Sequence, residues 1–234
     1  MADTKLTANA SQPSPAQAGA AEEDEVYSTL GALLGTLEVV TADAEDEHRL
    51  APTQLARLRS ATGFVRRLQH HVEALLILGS EDLDARLRRS TLKVAPLVEH
   101  AMRSAKRVCD AVGVTVQFVA RERWGDARVR VDGSRVDRAL GGLVEAMAGT
   151  VGAGGVIEAS VRLEGPRVVI ELLGRPRGPK RAPSPLDEPL DESTLTSRLL
   201  VRGCMRLFAL QAGELTVDAE RPALRLVLPI AEAT

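Results

Sequence analysis

The chain has almost no aromatic residues: Tyr27, Phe64, Phe118, Trp124 and Phe208 are the whole set in 234 positions. A protein that grips single-stranded nucleic acid needs aromatic faces on which bases stack, and no such platform can be built from these five. Cysteine is scarcer still. Cys109 and Cys204 alone cannot make a disulfide scaffold or a cysteine-based metal centre, and they point to a reducing compartment. Excess charge is missing as well: 30 Lys and Arg stand against 32 Asp and Glu, a net charge of -2, so no polyanion is held by bulk charge. No apolar run approaches the roughly 18 residues of a membrane span, and the N-terminus lacks the basic-then-apolar pattern of a signal peptide. These absences imply a cytoplasmic protein with no nucleic-acid partner and no membrane insertion.

What is present is globular in composition, with 44% apolar and 26% charged residues. Residues 1–22 carry no branched aliphatic residue after Leu6 and read as a disordered tail. From there Val26, Leu30, Leu33, Leu34, Leu37 and Val40 recur at three- and four-residue steps, the stripe of an amphipathic helix. A polar break follows, and Pro52 opens a second helix in which Leu58, Ala61, Val65, Leu68, Val72 and Leu75 form a heptad seam. Residues 23–80 are thus predicted to be a helical hairpin. A lone hairpin cannot cover both stripes, so pairing with a second copy into a dimeric four-helix bundle is expected.

Residues 90–234 read as mixed α/β. Leu97, Val98, Ala101, Met102, Ala105, Val108, Cys109 and Val112 predict a third helix closed by Gly113. Alternating Val114, Val116 and Phe118, then Val129 and Val131, predict strands. A fourth helix carries Val136, Leu140, Leu143, Val144 and Met147, with Ser134 as its expected cap. Strands at 156–163 and 167–173 follow, then a proline-rich, lid-like loop at 175–193, a fifth helix at 195–210 and a closing hairpin.

This order resembles the dimerisation and catalytic regions of sensor histidine kinases. Leu30-Gly31-Ala32-Leu33-Leu34-Gly35 is similar to the segment after the phosphorylated histidine of that family. Val131-Asp132-Gly133-Ser134-Arg135-Val136 resembles the D-x-x-R-L entry to its nucleotide-binding helix, and Gly154-Gly155-Val156-Ile157 the turn after it. Ala212-Gly213-Glu214-Leu215 and Leu226-Val227-Leu228-Pro229 resemble its closing signatures. The fold class implied is α+β: an N-terminal helical hairpin forming a dimeric four-helix bundle, followed by a degenerate histidine-kinase-type ATPase α/β sandwich.

The resemblance also exposes what has been replaced. Asp24 stands at the phosphoacceptor position and cannot form a phosphohistidine. The paired asparagines that hold Mg²⁺ against the phosphates fall at Gly142 and Ala146, which offer no oxygen to a cation that demands oxygen donors. Glu145 lies one residue away and is expected on a different part of the helix. The adenine-reading aspartate falls at Leu172, with only Gly174 surviving of its turn. The glycine-rich lid falls at Thr196-Ser197-Arg198-Leu199-Leu200-Val201, without a glycine to let backbone amides approach phosphate.

Neither cofactor nor metal is therefore expected, nor a catalytic residue. The function implied is a catalytically silent, histidine-kinase-like signalling protein that binds a response-regulator receiver domain or a kinase. Asp24, Tyr27, Gly31, Gly35 and Glu38 are the expected partner-binding residues, on the face opposite the leucine stripe, where packing between bundle hairpins is the competing use. An ATP-independent phosphotransferase is the alternative, with His70 or His71 as acceptor; the heptad puts His70 outermost and His71 beside the seam. A purely structural dimerisation module is a third reading. The cysteines sit in apolar helical patterns and read as buried small hydrophobes.

Overall fold

The computed structural model describes residues 15–46, 50–120, 126–177, 192–218 and 221–231, and the chain divides into two compact units, Met1–Gln69 and His70–Thr234. The first unit holds helix α1 (Pro15–Asp46) and helix α2 (Pro52–Gly79) as far as Gln69. Helix α1 starts at Pro15, inside the segment expected to be a tail. Its opening, PAQAGAA, has no apolar stripe, but alanine has the highest helix propensity and proline is at home in the first turn. The two helices are tied by the Thr41 and Thr62 hydroxyls at 3.3 Å, by Arg59 donating to Glu45 at 2.8 Å, and by an Arg66–Glu38 ion pair. Leu30, Leu34 and Leu37 are half-buried, whereas Val26, Leu33 and Val40 are exposed.

The second unit is α+β. After residues 70–79 of α2 come α3 (Leu83–Arg86), β1 (Ser90–Lys93), α4 (Val94–Ala111), β2 (Thr115–Ala120), β3 (Arg128–Val131) and α5 (Gly133–Val151). Next come β4 (Val156–Glu164), β5 (Arg167–Arg175), α6 (Glu192–Ala209), β6 (Glu214–Val217) and β7 (Ala223–Pro229). The four-residue α3 and β1 were not foreseen, because neither is long enough to display a period. Most of the expected loop at 175–193 lies outside the described residues.

Five strands form a mixed sheet in the order β2-β4-β5-β7-β6, with β2 parallel to β4 and every other pair antiparallel. Strands β1 and β3 form a separate antiparallel ribbon, joined to the end of β7 by a Val129–Ile230 bridge. Side chains alternate across a strand, so Ile157, Ala159 and Val161 of β4, Val168, Ile170 and Leu172 of β5, and Leu224, Leu226 and Leu228 of β7 all enter the core. There they meet Val98, Ala101 and Cys109 of α4, Leu140, Leu143 and Val144 of α5, and Leu207 and Phe208 of α6. Of the intervening positions, Val169, Val227 and Ser160 are buried, and Arg162, Glu164, Glu171 and Arg225 carry charges. Arg162 bonds Glu164 at 2.8 Å and also Glu171, while Arg225 reaches Glu164 at 2.7 Å. The Arg162 hydrogen bond holds the Glu164 carboxyl below the usual carboxylate range.

A buried polar node joins the helices to the ribbon. Asp132, not Ser134, is the cap of α5: its Oδ1 accepts from the Arg135 amide at 3.1 Å. Its Oδ2 accepts from the Arg88 amide at 3.0 Å, and its own amide donates to Gln211 Oε1 at 2.6 Å. Gln211 Nε2 donates in turn to the Leu207 carbonyl at 3.2 Å. Ser134 is displaced from the capping role because the helix already begins at Gly133.

Asp132→Ala leaves the Arg88 and Arg135 amides without their acceptor, and should cost about 2–4 kcal/mol in urea unfolding. Asp132→Asn, which keeps one acceptor oxygen, should cost less than half of that. The thiols supply a second check. Burial, assisted by the Glu145 carboxylate, pushes the Cys109 thiol up to about 12, and burial also raises that of Cys204. Both should resist alkylation at pH 8 in the folded chain and react in urea; rapid labelling of either without denaturant would show that the core is open.

Candidate functional site

The expected docking face of α1 is not uniform. Asp24 and Tyr27 lie on α1, but their side chains are outside the described residues. Gly31 is half-buried, and a side chain there would come within 3.7 Å of Gln69 Nε2. Glu38 is engaged by Arg66 of α2. Only Gly35 opens to space free of other atoms within 4 Å. Gly31 and Glu38 therefore lean toward the partner helix of the hairpin, and Gly35 looks away from it.

The second group of residues gathers where residues 70–79 of α2 meet α5 and α6. Position 142 of α5, expected to have lost a Mg²⁺-holding asparagine, is a buried glycine. A side chain on Gly142 would lie 3.4 Å from His70 Cε1 and 3.4 Å from the methyls of Leu200. His70 Nδ1 is 3.9 Å from Glu145 Oε2, and both side chains are 15% exposed. Two expectations are corrected here. Glu145 does not point elsewhere: residues three apart share a helix face, so Glu145 and Gly142 meet the same histidine. Nor is His70 outermost. The heptad seam measures only the contact between the two hairpin helices, whereas His70 lies in the second unit against α5. His71 is half-buried too, with its Nε2 shielded from solvent.

One turn further along α2, Glu73 is buried, and its two carboxylate oxygens share the single N–H of Arg138 Nε, at 3.0 and 3.3 Å. Ala74 and Ile77 are buried beside it. Arg206 of α6 donates to the Leu78 carbonyl and, at 2.6 Å, to the Ser80 carbonyl, where the helix ends. Sequence reasoning missed this cluster because its members are 60 to 130 positions apart, and only the Glu and Arg at 73 and 138 carried any signal, as charges inside apolar helical patterns.

The other positions expected to lack nucleotide contacts lie in β5 and α6. Leu172 of β5 is in the core and Leu173 is half-buried, while the Gly174 amide donates to the Pro222 carbonyl at 2.7 Å. In α6, Leu200 and Val201 are buried and Arg198 and Leu199 half-buried; the side chains of Thr196 and Ser197 are outside the described residues. Among the described residues no three His, Cys, Asp or Glu side chains converge as a metal site. None of their helices is long and apolar enough to cross a membrane. One polar pair outside both groups was also unforeseen: exposed His100 on α4 lies with Nδ1 2.8 Å from Asp137 Oδ1 on α5.

No protein-family model matches the chain, and no curated protein matches it. Solved structures do. Histidine kinase ThkA in complex with response regulator protein TrrA superposes with a TM-score of 0.54 at 15% identity, covering 93% of this chain and 64% of that one. Full-length ShkA in complex with AMPPNP gives 0.53 at 16% identity over 92% of this chain and 46% of that chain. Histidine kinase AdeS of Acinetobacter baumannii gives 0.50 at 12% identity, over 88% and 96%. Identities this low speak for the fold and not for the chemistry: the chain has the fold of these histidine kinases.

Proposed function

We propose that this protein is a catalytically silent member of two-component signalling, a homodimer that docks a response-regulator receiver domain or a histidine kinase without binding ATP or phosphorylating itself. The observation that carries this reading is the state of the α5 positions that would hold a metal–nucleotide complex. Gly142 and Ala146 supply no oxygen, and His70 and Leu200 crowd the space beside Gly142. Leu172 presents hydrocarbon where an acceptor is needed, so an adenine amino group placed there would lose its hydrogen bonds to water and regain none.

A receiver-type partner is favoured by the fold shared with ThkA, a histidine kinase solved in complex with a response regulator. The docking surface would be the outward side of α1 around Gly35, with Asp24, Tyr27, Gly31 and Glu38 along the same helix. Self-association is favoured by apolar residues that the single chain leaves uncovered. Val26, Leu33 and Val40 recur at seven-residue steps on α1, and Phe64 and Leu68 are exposed on α2. Such a repeat is the seam of a helical bundle. The half-buried positions of His70 and His71 weigh against the phosphotransferase alternative, since an acceptor histidine must be reached by the active site of another protein.

Calorimetric titration with ATP and Mg²⁺ should give no binding heat up to millimolar nucleotide; micromolar affinity would overturn the silent reading. Incubation with a phosphorylated receiver domain should leave no acid-labile, base-stable phosphate on this chain. Phosphate that appears and is abolished by His70→Ala or His71→Ala would establish the relay instead. Light scattering should give twice the 25.0 kDa of one chain. The Leu33→Glu/Val40→Glu variant should run as a monomer and keep its α/β unit folded.

A further inference from the structure

On the mixed sheet Arg162, Arg175 and Arg225 each hold a glutamate. The β1–β3 ribbon departs from this. Its register sets Lys93 directly opposite Arg128 and Thr91 opposite Arg130. Alternation puts these four side chains on one side of the ribbon, all of them exposed, while Leu92, Val129 and Val131 face the core. Arg88, whose amide donates to Asp132 just past β3, adds an exposed cation at the end of the ribbon. Asp126, the acid close by, is held by Lys93 at 2.6 Å. Among the described residues no carboxylate forms an ion pair with Arg88, Arg128 or Arg130. Folding does not call for this arrangement, because like charges directly opposite on paired strands are destabilising. A charge on an edge strand can guard it against pairing with other chains, but β3 is not an edge. Strand β1 lies on one side of it, and on the other Ile230 bridges Val129 and the Ala231 amide donates to the Arg128 carbonyl at 2.7 Å.

We propose that this side of the ribbon is a docking surface for an acidic, extended segment of a protein partner. Residues two apart on a strand lie about 6.5 Å apart along it, so Arg128 and Arg130 match carboxylates on alternate residues of a second extended chain. A guanidinium takes a carboxylate through two parallel N–H donors, which favours such planar acids over a diffuse counter-charge. Thr91, opposite Arg130, adds a hydroxyl to the same side. Nucleic acid is the poorer fit: the chain has a net charge of -2, and neither strand of the ribbon carries an aromatic side chain on which a base could stack. The ribbon belongs to the second unit and α1 to the first, so this surface stands or falls separately from the docking proposed around Gly35.

Fluorescence anisotropy of a labelled peptide of alternating glutamate and threonine, titrated with the intact chain, tests this. The wild type should bind at about 0.05 M salt and lose the peptide at about 0.5 M, where exposed charges are screened. Arg128→Gln with Arg130→Gln should weaken binding about tenfold. Arg103→Gln with Arg107→Gln removes the same charge from the exposed side of α4 and should change affinity by no more than about twofold. The ribbon variant should melt no lower than the wild type, because it relieves the cation pair at 93 and 128. Absence of binding by the wild type, equal losses in the two variants, or a ribbon variant that melts well below the wild type would each overturn the proposal. So would single-stranded DNA of the same length, or phosphatidylserine vesicles, that bind the wild type as tightly as the peptide and are lost with the ribbon arginines.

Discussion

The helix layer of the second unit is organised around one buried carboxylate. Asp132 caps α5, accepts the Arg88 amide from the segment before β1, and positions its own amide on Gln211 just beyond α6. Segments 40 to 80 positions apart in sequence are thereby pinned at one point. A buried acceptor of this kind cannot relax cheaply, because each donor it satisfies would otherwise lie in the core without water. The direction in which α5 leaves that node decides which of its residues face α6 and the tail of α2. Gly142 and Glu145 are on that side, and Val136 and Leu140 are in the core.

On this framework one surface of α5 meets both α6 and the tail of α2. At positions 142 and 146 α5 presents a glycine and an alanine, and side chains from α2 and α6 lie against Gly142. Small residues at 142 and 203 have become contact points between helices. Charged residues survive there as structural pairs: Arg138 holds Glu73, and Arg206 holds the end of α2. The buried cysteines next to this layer are driven away from reactivity by the same exclusion of water.

The outer face of the sheet shows the opposite economy. Its Arg162, Glu164, Glu171 and Arg225 pair with one another at the surface, where solvent screens each ion pair. The same face also buries Val169 and Val227 among these charges. The first unit differs again: Val26, Leu33 and Val40 are left for another helix to cover, and this is the physical basis for proposing a second copy.

Local periodicity determined the elements, because a helix stripe and an alternating strand are written in neighbouring residues: α4, α5 and strands β2, β4, β5 and β7 all fall where the apolar pattern puts them. That positions 142, 146 and 172 carry no side-chain oxygen is equally legible and needs no coordinates. The sequence by itself did not determine the start of α1, where alanine propensity acts without a pattern, nor the cap of α5, where Ser134 is expected and Asp132 serves. Only the tertiary structure decided that His70 turns inward to Glu145 and Gly142, that Gly31 and Gly35 face different surroundings, and that Gly203 lies against Ala74. Those outcomes depend on which helix lies alongside which, and packing between segments far apart in the chain leaves no periodic trace in either of them.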